Sequence, residues 1–104
     1  MLWHVVKFRI RPEVGADERD AFTALLGGLA GVVPSLRFAR VAPSLDEPDV
    51  IGLLTGFDDV AGLEAYKVHE AHLPVIAMAK ALSAEITRLD MVTADPPDAL
   101  ALSV

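Results

Sequence analysis

The chain contains no cysteine. That absence excludes a disulfide framework and a thiolate site. Aromatic residues are also sparse: one tryptophan, one tyrosine and four phenylalanines among 104 residues. Basic residues are outnumbered, with nine Lys and Arg against 15 Asp and Glu, for a net charge of −6. Binding a phosphate backbone needs clustered cations, whereas the basic residues between Lys7 and Arg40 are interleaved with apolar ones. Nucleic acid and anionic membrane are therefore not expected partners. No apolar run approaches the roughly 20 residues that span a bilayer. Met1-Leu2-Trp3-His4 runs straight into a strand pattern rather than a signal peptide, so a cytoplasmic setting is the expectation.

What the chain does have is apolar surface: 53% of its residues are hydrophobic, and mean hydropathy is +0.43. Its length suits one domain. A domain this small buries only about 60–70% of the surface its unfolded chain exposes. The surplus points to an apolar face covered by a partner.

The periodicities give an order of elements. Leu2, His4, Val6, Phe8 and Ile10 alternate with Trp3, Val5, Lys7 and Arg9, the period of two of a strand. From about Asp17, Phe22, Leu25, Leu26, Leu29, Val32 and Val33 follow helical spacing up to Pro34. Gly27, Gly28 and Gly31 weaken that helix toward its end. Residues 36–42 read as a short strand, 43–49 as a surface loop and 50–57 as a buried strand. Asp58 or Asp59 caps a second helix carrying Val60, Leu63 and Tyr66. Pro74 implies a break near 70–73 and a restarted helix with proline in its first turn. Residues 85–93 form the last strand, and a Pro96-Pro97 tail follows, giving a domain over 1–93 and a tail over 94–104. The order is the βαββαβ of an α+β, ferredoxin-like fold with a four-stranded antiparallel sheet. Such a sheet carries helices on one face only, so the face bearing Trp3 and Val5 is expected to pack on a second copy. That makes a homodimer, with stacking into larger assemblies left open.

Chemistry has few places to reside. There is no Gly-x-Ser-x-Gly, no phosphate-binding loop and no dinucleotide fingerprint. Two histidines three apart, His69 and His72, suit a chelate with His4 as third ligand, but a closed zinc site wants more ligands and supporting groups. No metal and no cofactor is called for. Acid–base work by histidine fits better, because imidazole titrates near neutrality. Tyr66 can donate to a carbonyl oxygen as charge develops on it. Residues six apart on one helix are rotated by about 120°, so Tyr66 and His72 converge only if the helix breaks between them. His4 lies on the apolar face that meets the helices, where a histidine is commonly structural. Thr23, Ser83 and Arg88 add polar groups near the same region.

Two segments, His4-Val5-Val6-Lys7-Phe8 and Tyr66-x-x-His69-x-Ala71-His72, carry a further signal. With the helix ending at Pro34 and the Gly56-Phe57-Asp58-Asp59 turn, they resemble the stress-responsive α/β-barrel (Dabb) family over about residues 2–92. The resemblance implies a ferredoxin-like subunit whose sheet packs on that of a second subunit, closing a dimeric α+β barrel. Plant members include a heat-stable oligomeric stress protein and a cyclase that closes a linear polyketide by aldol condensation without a cofactor. By that resemblance Tyr66 and His72 are the catalytic pair, with His4, His69, Phe22 and Thr55 contacting a small polyketide-like or β-dicarbonyl substrate. The alternatives are a non-catalytic stress-responsive or small-molecule-binding oligomer, and a cofactor-free monooxygenase of the related superfamily. The family often places proline after the first histidine of this motif, where this chain has Glu70 and its own proline at Pro74.

Overall fold

In the computed structural model, which describes residues 1–95, the alternating segment at the start is strand β1, Leu2–Ile10. Helix α1 spans Ala16–Gly27, followed by a 3₁₀ turn over Gly28–Gly31. Strands β2 (Phe38–Pro43) and β3 (Val50–Phe57) come next. Helices α2 (Val60–Val68) and α3 (Leu73–Leu82) lead to β4, Ser83–Val92. The sheet order is β2-β3-β1-β4 with every neighbour antiparallel. This is the ferredoxin-like α+β fold expected, with the second helix in two pieces. The Pro96-Pro97 tail lies outside the described residues.

Three boundaries differ from the sequence expectation, each for a local reason. Helix α1 stops at Gly27 rather than running to Val33. Three glycines in five residues each cost roughly 0.8–1 kcal/mol against alanine, and the chain tightens into the 3₁₀ turn instead. Leu29 and Val33 still reach the core, whereas Val32 is 58% exposed. Strand β2 begins at Phe38 and takes in Pro43, which an edge strand tolerates. Strand β4 starts at Ser83, with no loop after α3, because Ser83 pairs with Ile10 across a register shift in β1.

The inward face of β1 holds Leu2, His4, Val6, Phe8 and Ile10, all buried. Their β3 partners Phe57, Thr55, Leu53 and Ile51 extend the same layer. Phe22 and Leu26 from α1, Leu63 and Tyr66 from α2, and Val75 and Ala79 from α3 close it from above. Asp59 caps α2 by accepting from Gly62 N at 2.9 Å, while Asp58 instead binds Arg37 at 2.6 and 2.8 Å.

Among the described residues, no helix lies on the opposite face of the sheet. There Trp3 and Phe38 flank Gly56, which pairs with both, and their rings meet edge to face at 5.7 Å. A Cβ at Gly56 would lie 2.3 Å from the Phe38 ring. Glycine is what lets the two aromatics close over the strand. Leu89 and Met91 of β4 share this face, at 57% and 44% exposure. No helix among the described residues is long and apolar enough to cross a membrane.

Candidate active site

Between the inward sheet face and the helices lies a cavity of about 280 Å³. His4 enters it from β1, Tyr66 from the last turn of α2 and His72 from the start of α3. The local chain path explains this meeting. Helix α2 ends at Val68, and His69 leaves it with an extended backbone (φ −64°, ψ 137°). His72 N then donates to His69 O at 2.9 Å, and α3 starts with Pro74 in its first turn. The corner folds the chain back on itself. The rings of Tyr66 and His72 stack with centroids 3.9 Å apart and planes 28° from parallel.

Burial tunes this pair in opposite directions. Tyr66 is 1% exposed, and desolvation of the phenolate pushes its pKa up to about 12. The hydroxyl therefore stays a proton donor across the physiological range. Burial holds His72 below the ordinary imidazole value, outweighing the nearby Lys67 and Tyr66 carbonyls, which favour the protonated ring. Burial thus favours the neutral form of both rings. Nδ1 of His72 is buried and has no hydrogen-bond partner among the described residues.

His4 is held from two sides. Thr55 Oγ1 donates to the His4 carbonyl at 2.7 Å, and the His4 ring nitrogen Nδ1 bonds Asp90, its direct partner across the β1–β4 ladder. An ionised carboxylate only accepts, so the shared proton belongs to Nδ1, and Nε2 of His4 has no hydrogen-bond partner among the described residues. The His4 ring lies 6.3 Å from that of Tyr66 and 6.5 Å from that of Phe57.

The structure brings together His4, Tyr66 and His72, and adds Arg88 to the cavity wall. It places the other candidates elsewhere. Phe22 is fully buried against Phe8 (centroids 5.2 Å, 82°) and does not line the cavity. Thr55 is fully buried too, and acts through the His4 backbone. The His69 ring turns back to its own corner, where Nδ1 accepts from Ala71 N at 3.1 Å. Thr23 bonds Arg19 O within α1, and Ser83 Oγ is buried with no hydrogen-bond partner among the described residues. Asp90 was not among the sequence candidates. Among the described residues, no group of three or more His, Cys, Asp or Glu converges in a way that would hold a metal ion.

A family model described as the stress responsive A/B barrel domain matches residues 2–93. The chain belongs to this family. Among solved structures it resembles a dimeric ferredoxin-like protein of unknown function from Jannaschia sp. (31% identity, TM-score 0.77), which it covers over 98% with 88% of its own length. A hydroxynitrile lyase from Passiflora edulis is similar at 16% identity and TM-score 0.81, over 90% of this chain and 94% of that one. A putative antibiotic biosynthesis monooxygenase from Chloroflexus aurantiacus is similar at 23% identity and TM-score 0.73, over 91% and 95%. At such identities the last two share the fold. No curated protein matches the sequence.

Proposed function

We propose that this chain is a cofactor-free acid–base catalyst acting on a small polyketide-like or β-dicarbonyl compound. The observation that carries the reading is the Tyr66–His72 stack on the wall of an internal cavity, where burial favours the neutral form of both rings. His72 Nε2 acts as the general base, since Nδ1 is shut in against the protein. It removes the proton alpha to a substrate carbonyl. Tyr66 donates its hydroxyl to that carbonyl oxygen and stabilises the enolate, which then attacks a second carbonyl and closes a carbon–carbon bond. His4, fixed by Asp90 and Thr55, orients the substrate. Low dielectric in the cavity strengthens each of these interactions.

The family assignment and the variety of activities named among similar folds favour small-molecule chemistry here without fixing the reaction. The rival is a stress-responsive protein that binds a small molecule without turning it over. It is favoured by the near-complete burial of Tyr66. The two separate on one experiment, exchange of the C2 proton of a neutral β-keto ester followed by NMR in D2O. The acid–base reading expects exchange faster than the buffer reaction at equal pH. Exchange at the buffer rate contradicts it.

The same proposal includes a cytoplasmic homodimer joined through the helix-free sheet face. Trp3, Val5, Leu89 and Met91 supply apolar contact there, and similar structures from Jannaschia sp. and Thermobifida fusca are described as dimeric.

A further inference from the structure

The charge on the cavity wall is opposite to that of the chain. Acids outnumber bases 15 to nine overall, yet the cavity is lined by Lys67, Lys80 and Arg88 and by no Asp or Glu. Three of the nine basic residues therefore converge on one small opening. All three are exposed, on three different elements: the end of α2, the end of α3 and edge strand β4. Behind them the wall is apolar, with Val6, Leu26, Leu53 and Val75 all buried. Asp90, the carboxylate nearest in role, is bonded to His4.

The cations also differ in what they already hold. Lys67 pairs with Glu64 at 3.2 Å. Lys80 and Arg88 make no ion pair among the described residues. Two unpaired cations at the mouth of an apolar cavity, in an acidic protein, leave a local field that attracts an anion. Arg88 offers a planar fork suited to carboxylate or phosphate, and Lys80 a point charge beside it.

We infer that this cavity takes a small anion with an apolar body, the body lying against Val6, Leu26 and Val75 and the anionic head meeting Arg88 and Lys80 at the mouth. This deepens the proposed function by naming the substrate class, and rests on that reading only for what happens to the ligand afterwards. An anionic head at the mouth sets how far the body reaches inward, and so which carbon lies beside His72. Specificity would then reside in charge outside and length inside.

The test is binding of octanoate, octyl phosphate and octanamide to the full chain by calorimetry. None is a β-dicarbonyl compound, so the outcome is independent of catalysis. The inference expects octanoate or octyl phosphate to bind about tenfold more tightly than octanamide, with the tighter of the two identifying the head group. That preference should shrink as ionic strength rises. Arg88→Gln and Lys80→Gln should each weaken the anions about fivefold, as exposed pairs do, and leave octanamide unchanged. Octanamide binding as tightly as the anions, an anion affinity insensitive to salt, or no binding of any probe at millimolar concentration would each overturn it. The two wild-type comparisons decide the matter even if a variant folds poorly.

Discussion

Asp90 stands directly opposite His4 on the neighbouring strand and bonds its Nδ1, so a residue near each end of the chain sets one ring orientation in the cavity. With Asp90 as acceptor, the bond favours the tautomer that carries its proton on Nδ1. Asp90→Asn should leave the fold intact, at a cost of about 1 kcal/mol, because Asp90 is partly exposed. Nitrogen-15 spectra of the His4 ring are expected to show Nδ1–H in the wild type and a mixture in the variant. An unchanged His4 tautomer in Asp90→Asn would remove Asp90 from the account as a positioning residue.

Tyr66 supplies a clean spectroscopic test, because it is the single tyrosine of the chain. Its pKa is raised by burial to about 12 from the ordinary 10.0. The unfolded chain therefore ionises first. The stability linked to this group is fully present below pH 10 and is lost as pH rises from 10 toward 12. Tyrosinate absorbance of the folded protein should therefore appear near pH 12 rather than near 10. A hydroxyl titrating near 10 in the folded protein would mean that Tyr66 is open to water.

His72 titrates on the other side. Burial lowers its pKa beneath the ordinary 6.5, and a general base works only when unprotonated. The acidic limb of any activity should therefore fall below pH 6.5, with full activity through neutrality. A limb above that value would assign the base to a different group.

The helix-free face makes a prediction about assembly. Placing charge there, as Val5→Glu or Leu89→Glu, should give a folded monomer, since an ionised side chain facing an apolar partner is left desolvated and unpaired. Sedimentation velocity at micromolar concentration checks this. A wild-type chain that sediments as a monomer contradicts the homodimer.

Much of this arrangement is legible in the sequence, for identifiable reasons. Strand β1 announces its inward face because period-two alternation holds from Leu2 to Ile10. The Tyr66–His72 meeting is signalled by Pro74, which is kept to the first turn of a helix and so implies a break before it; the chain turns from His69 onward. Asp90 could not be read in the same way. Strand β4 is exposed along most of its length, so its pattern looks merely solvated. Its partner lies 86 residues away, and only the register of the paired strands places the two together. Phe22 and Thr55 show a different limit. Both face the core, yet periodicity gives a face and not a depth, and both lie buried beside the cavity rather than on its wall. The shortened α1 shows a third, where glycines at 27, 28 and 31 outweigh an apolar pattern that continues past them.

The central claim is that His72 and Tyr66 move a proton together. It is tested most directly by the rate of C2 proton exchange in a β-keto ester, compared across wild type, His72→Ala and Tyr66→Phe. The account predicts a fall of about 10²–10⁴-fold without the base and about 10²–10³-fold without the oxyanion donor, each in a variant that remains folded and dimeric. Exchange above the buffer rate that persists unchanged in both variants would contradict it.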